Sequence, residues 1–187
     1  MKVLKWIGIV LLAIVLLTYF VGIPYLREQT KKYSPEKTAQ YSNKGVELEV
    51  TYCSPYKKDR KIFGGLVPYG QVWRTGANEP TTFTTNREIE IAGTRLAPGT
   101  YSLWTIPNPD QWIFILNEEV PDWGVTLMSG GEKTSRDPES DVVNSIVAAG
   151  ELTAPQEQLL LEFRANNSGL YLSLSWDQTE IQVPINY

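Results

Sequence analysis

The chain has 187 residues, with 17 Lys plus Arg against 21 Asp plus Glu, one Cys and no His. The missing histidine excludes His-based triads and His-bearing zinc sites within one chain, and a single thiol excludes an internal disulfide or a Cys-rich metal centre. Carboxylate, hydroxyl, Arg/Lys and aromatic chemistry remain, on a length that predicts about one domain of 100 to 200 residues.

Charge divides unevenly along the chain. Residues 1 to 44 hold seven basic and two acidic residues, net +5, whereas the remaining 143 hold ten basic and nineteen acidic, net −9. A domain of that sign repels a phosphate backbone, so no nucleic acid is expected as a partner.

From Trp6 to Ile23 the chain runs 18 residues without a charge, rich in Ile, Leu and Val. As a helix these residues span about 27 Å, close to the ~30 Å hydrocarbon core of a bilayer. Trp6, Tyr19 and Tyr25 fall near the two ends, where amphipathic rings favour the interface, and Pro24 supplies a stop. A single transmembrane anchor over residues 1–26, with the lipid bilayer as its partner through residues 6–23, is the reading. The competing one is a cleavable secretory signal behind Lys2 and Lys5; the run is longer than an ordinary signal core, and no small-x-small cleavage site follows. The positive-inside count, with Arg27, Lys31, Lys32 and Lys37 beyond the span, would keep the rest of the chain in the cytoplasm. Residues 27–44 show neither helical nor strand periodicity and read as a polar basic tether.

The period then becomes two, starting with Val46, Leu48, Val50 and Tyr52 alternating with Glu47, Glu49 and Thr51. Comparable runs cover residues 81–85, 88–92, 100–106, 112–116, 142–147, 159–163, 170–176 and 181–185, separated by turn residues such as Ala92-Gly93, Asn108-Pro109-Asp110 and Asn166-Asn167-Ser168-Gly169. Pro98-Gly99 predicts a type II turn joining two of these runs as a hairpin. Pro184 is expected on an edge, and residues 118–140 as a long loop. The expected fold over 45–187 is all-β, an antiparallel β-sandwich or open barrel of about 8–10 strands.

Two stretches carry a resemblance. The first runs from Ser54 to Thr82 and includes Phe63-Gly64-Gly65-Leu66-Val67-Pro68-Tyr69-Gly70 and Val72-Trp73-Arg74-Thr75-Gly76-Ala77-Asn78-Glu79-Pro80; the second is Leu96 to Pro107 followed by Trp112 to Asn117. With the ending Leu170–Trp176 and Val183-Pro184-Ile185, they resemble the bacterial domain of unknown function 2911 (DUF2911) family over about Val46 to Ile185. The resemblance implies a compact β-rich domain on exported proteins, which puts the domain on the extracytoplasmic side, against the charge count. It implies no activity and no catalytic residues.

The densest polar cluster is Trp73 to Glu79. Arg74 offers a rigid five-donor fork, Asn78 donors and an acceptor, Glu79 an acceptor and Trp73 an apolar face, a set suited to a sugar, a carboxylate or a peptide terminus. Gly76 and Ala77 would let a ligand approach the backbone. The competing reading is a structural loop, with Arg74 paired, Asn78 in an Asx-turn and Trp73 in the core. Trp104 and Trp112 flank a turn and predict either a cross-strand aromatic pair or a stacking wall for a ring. Glu47/Glu49 and Glu88/Glu90 are spaced for a glycosidase pair but read as solvated strand faces. Asp137, Glu139 and Asp141 lack the pattern of a calcium loop, and Lys57 to Lys61 form a local basic island.

The expectation is a membrane-anchored, exported, non-enzymatic binding or envelope-structural module. Its ligand is a small polar molecule or an envelope glycan at Trp73, Arg74, Asn78 and Glu79 with Trp104 as a wall, and it needs no cofactor and no metal. The alternatives are a metal-independent carboxylate hydrolase acting on glycans and a scaffold working through the membrane segment.

Overall fold

A computed structural model describes residues 2–126 and 134–187. The chain forms two compact units, Met1–Tyr33 and Ser34–Tyr187.

The first unit is helical. Helix α1 (Lys2–Leu17) runs through a π-helical turn, Thr18–Gly22, into α2 (Ile23–Lys31), so Pro24 does not stop the helix as expected but lies within it, directly after the π-helical turn. From Lys5 to Lys31 the helix is long and apolar enough to cross a membrane, and none of its central stretch is buried. Its Ile, Leu and Val side chains are exposed all round, as lipid contact requires.

The second unit is one nine-stranded antiparallel sheet of β1 (Glu36–Asn43), β2 (Val46–Cys53), β3 (Thr81–Thr85), β4 (Ile89–Ile91), β5 (Thr94–Leu96), β6 (Gly99–Ile106), β7 (Gln111–Asn117), β8 (Asp141–Asn166) and β9 (Gly169–Asn186). The strand order is β1-β2-β3-β6-β7-β8-β9-β4-β5. Alternation explains the strands: in β2, Val46, Leu48, Val50 and Tyr52 are buried while Glu47 and Glu49 point away. β8 and β9 make the sheet turn on itself. The first part of β8 pairs with β7 as far as Ala148, and its continuation pairs with β9 from Ala149 onward. Beyond Cys53 the chain meets that continuation again, through Ser54 Oγ to Leu159 O at 2.5 Å, Leu159 N to Pro55 O at 3.0 Å and Lys57 N to Glu157 O at 2.7 Å. The two halves of the sheet thus share one core, built on Phe83, Trp112, Phe114, Leu161, Leu172 and Trp176. One open antiparallel sheet of nine strands agrees with the all-β fold and the strand number expected from the sequence.

Several local expectations are corrected. Residues 27–44 are not a tether throughout: α2 continues to Lys31, and β1 occupies Glu36–Asn43. β1 was hidden because it covers an edge, turning only Lys37, Ala39 and Tyr41 partly inward. Pro98-Gly99 does not close a hairpin. β5 pairs with β4 around Ala92-Gly93, both at positive φ, whereas β6 pairs with β3, and Gly99 is not at positive φ. Trp104 and Trp112 are not a cross-strand pair either, since Trp104 lies opposite Ile115 and Trp112 opposite Val147. Pro184 sits past the last β8 pairing of β9, where its missing N–H breaks no β8 bond, and its carbonyl accepts Ala92 N.

Candidate functional site

The Trp73–Glu79 cluster lies in the loop between β2 and β3. Trp73 pairs with Thr105 through both backbone bonds, N to O at 2.8 Å and O to N at 2.9 Å, so the loop extends the sheet beside β6 beyond the start of β3. That pairing sets the faces. Trp73 turns toward the core, stacked on Trp176 at 5.9 Å between ring centroids and edge-on to Trp112 at 6.3 Å, with its indole N–H donating to Gly76 O. Arg74 then turns to the opposite face, beside Trp104 by register.

Thr75 reverses the chain. It is a buried, β-branched residue at φ 55°, a genuine strain for its type. Its hydroxyl reaches Thr105 Oγ1 at 3.1 Å and Trp73 O at 3.3 Å, and its carbonyl accepts Thr81 Oγ1 at 2.8 Å. Gly76 does not leave room for a ligand as expected. A Cβ there would stand 3.0 Å from Cys53 O and 3.1 Å from Thr81 Oγ1, and Ala77 N donates to Cys53 O. The space is filled by the end of β2.

Cys53 alternates outward on β2 and is buried by this loop. Its thiol donates to Glu79 Oε2 at 3.5 Å. The structure therefore brings Glu79 to Cys53 on the outer face, sets Arg74 beside Trp104 by register, and sends Trp73 to the core. The two-residue alternation of β2 places Cys53 on the outer face.

Arg74 carries the main electrostatic anomaly. Burial pushes its guanidinium below the usual arginine range, opposed by Cys53. Its Nε is buried and has no hydrogen-bond partner, and Asn78 Nδ2 is in the same condition. Asn78 also holds φ 58°, which asparagine tolerates. Two indole N–H groups, of Trp112 and Trp176, are likewise without a hydrogen-bond partner among the described residues, and both rings lie T-shaped to Phe63.

The outer face around Trp104 is roofed by residues after Asn117. Trp104 is fully buried, its indole N–H donating to Ser102 Oγ at 2.7 Å, and Ser102 Oγ donates to Glu119 O at 2.5 Å. It is a buried floor rather than an open stacking wall. Gly124 seats on the Arg74 stem so closely that a Cβ would overlap Arg74 Cδ. Asn117 Nδ2 bonds Asp137 O and Asp141 Oδ1, and Arg136 pairs with Asp141 at 2.5 Å, so these acids are engaged in closing the segment. Gly130-Gly131 lies outside the described residues. Among the described residues no group of three or more His, Cys, Asp or Glu is placed for a metal ion. In the basic island Lys57 pairs with Asp177 at 2.9 Å and Arg60 donates to Tyr56 O and Lys57 O.

No curated protein and no solved structure matches the chain. The family described as "Protein of unknown function (DUF2911)" matches residues 34–185, which is the β unit from just before β1 nearly to the end of β9. With both sequence signatures mapped onto the loop and the hairpin that build this face, the chain belongs to the DUF2911 family.

Proposed function

We propose that the protein is a membrane-anchored, exported, non-enzymatic binding module whose Arg74 and Asn78 take a ligand bearing clustered acceptor oxygens, foremost a carboxylate on an envelope glycan or other small polar molecule. The observation that carries this reading is the pair of buried donors, Arg74 Nε and Asn78 Nδ2, without an acceptor among the described residues and flanking a strained turn. An unsatisfied buried donor costs about 1–3 kcal/mol, more when it belongs to a charged group. A carboxylate supplies both the charge and the acceptors.

The reading is tested on the full chain in detergent micelles, with N-acetylmuramic acid as the carboxylate-bearing probe and N-acetylglucosamine as its neutral counterpart. Binding of the acid is expected, with loss on Arg74→Met or Asn78→Gly while the melting temperature holds or rises, because each substitution removes an unpaired donor. A fall in melting temperature with no ligand response would make both side chains structural. Turnover of peptidoglycan fragments abolished by Glu79→Gln would replace binding with the carboxylate-hydrolase reading.

A further inference from the structure

The outer face of β1, β2 and β3 continues away from the Arg74 loop as an ordered polar surface. Register aligns Thr38 with Thr51 and Thr82 in one row, and Gln40 with Glu49, Thr84 and Thr100 in the next. Side chains along each row touch across strands: Thr38 to Thr51 at 3.2 Å, Gln40 Nε2 to Glu49 Oε2 at 2.8 Å, and Thr84 to Thr100 at 3.0 Å. Where the β1–β2 hairpin closes, this surface dips into a concavity of about 380 Å³ lined by Gln40, Ser42, Glu47, Glu49, Thr84 and Asn86, with Tyr41 and Leu48 also on its wall. That volume lies at the small end of ligand clefts.

We propose that this concavity is a binding groove for a neutral polyhydroxylated ligand, a stretch of uncharged glycan, gripped by the carboxylates of Glu47 and Glu49. The Glu47 backbone is held from both sides, its N–H on Asn86 Oδ1 at 2.9 Å and its carbonyl on Asn86 N at 3.2 Å. Its carboxylate has no hydrogen bond or ion pair among the described residues. Glu49 commits one oxygen to Gln40 and keeps the other. Two carboxylates on alternate residues of one strand stand about 6.5–7 Å apart, a span over which adjacent sugar hydroxyls donate to both. No lysine or arginine lines the groove, so an acidic glycan is repelled where a neutral one is accepted. Two carboxylates without a third acid do not make a metal site. The groove has no cation in common with the Arg74 loop and does not depend on that reading.

The test uses the full chain in detergent micelles, with chitotetraose as the neutral probe and galacturonic acid tetramer as the acidic one, read by saturation-transfer NMR and calorimetry. Chitotetraose is expected to bind with a Kd of about 1 mM, as suits a shallow polar groove without an exposed aromatic floor. Affinity is expected to fall at least about tenfold in Glu47→Gln/Glu49→Gln, at an unchanged melting temperature, and to be unaffected by Arg74→Met. The acidic tetramer is expected to give no signal in the Arg74→Met background. Absence of chitotetraose binding, binding that ignores the double glutamine variant, or a signal from the acidic tetramer in the Arg74→Met background overturns the proposal. Failure of the muramic acid test leaves these outcomes as they are.

Discussion

Gly124 and Arg74 make a contact that only glycine permits, and it ties the segment after β7 to the loop before β3. A methyl group at position 124 would overlap Arg74 Cδ and come within 3.1 Å of Arg74 Cβ, which cannot swing away because the Trp73–Thr105 pairing fixes the backbone beside it. Overpacking of this kind costs about 1–3 kcal/mol. Gly124→Ala is therefore expected to lower the melting temperature by about 2–4 °C for each kcal/mol. In an Arg74→Ala background the same substitution is expected to be nearly neutral, and a thermal-melt double-mutant cycle measures the difference. Additive effects would mean that Gly124 does not rest on Arg74. The same contact explains a gap in what the sequence could say. Trp73 to Glu79 was visible as a polar cluster because its residues are neighbours in the chain, and Trp104 was named with it, whereas Cys53 and Gly124 join it only through strand register and a crossing 50 residues from Arg74.

At the scale of elements, β8 and β9 hold a charged network that depends on pH. Arg164 on β8 reaches Glu162 on its own strand and Glu180 on β9, while Ser173 Oγ and Gln182 Nε2 each donate to Glu180 at 2.9 Å. Burial, the largest single influence, pushes the Glu180 carboxyl up. The hydrogen bonds from Gln182 and Ser173, with the charge and hydrogen bond of Arg164, together outweigh it and leave Glu180 below the usual carboxylate range. A depressed acid stabilises the fold fully above its unfolded value, about 4.3, and loses that contribution as pH falls through the lower folded value. The melting temperature of the intact chain is expected to fall between about pH 5 and pH 2, more steeply than that of Glu180→Gln. Parallel acid limbs in the two would show that Glu180 is not coupled to folding. These two strands were also the hardest to read from sequence. β8 looked like two short runs, 142–147 and 159–163, because between them it changes partners from β7 to β9 through polar residues with shifted register. β2, β3, β6 and β7 were legible because each keeps one apolar face on the core throughout. β5 is only three residues long and too short to show a period.

At the scale of the whole molecule, the position of β1 decides where the β unit begins. A polar tether running to residue 44 would make everything before Val46 dispensable. In the structure β1 pairs with β2 along its full length, and Lys37 Nζ donates to Gln158 Oε1 at 2.9 Å. Tyr41 packs on Phe163 at 6.1 Å and meets the Tyr187 hydroxyl at 2.6 Å, which Asn43 Nδ2 also reaches at 2.8 Å. β1 is thus the strand that binds the first half of the sheet to the last residues of the second. Its outward residues, Glu36, Thr38, Gln40 and Ser42, are polar, so it also protects the apolar β2 from pairing with another chain. A chain starting at Ser34 is expected to fold as a soluble monomer with a single cooperative transition, since all its contacts lie in one compact unit. A chain starting at Gly45 loses a full strand ladder and the half-buried Tyr41, leaving β2 as a bare edge. Its melting temperature is expected to drop by at least about 10 °C, the equivalent of several kcal/mol, with aggregation in size-exclusion chromatography. Equal stability and monomeric elution of the two chains would restore the tether and remove β1 from the fold.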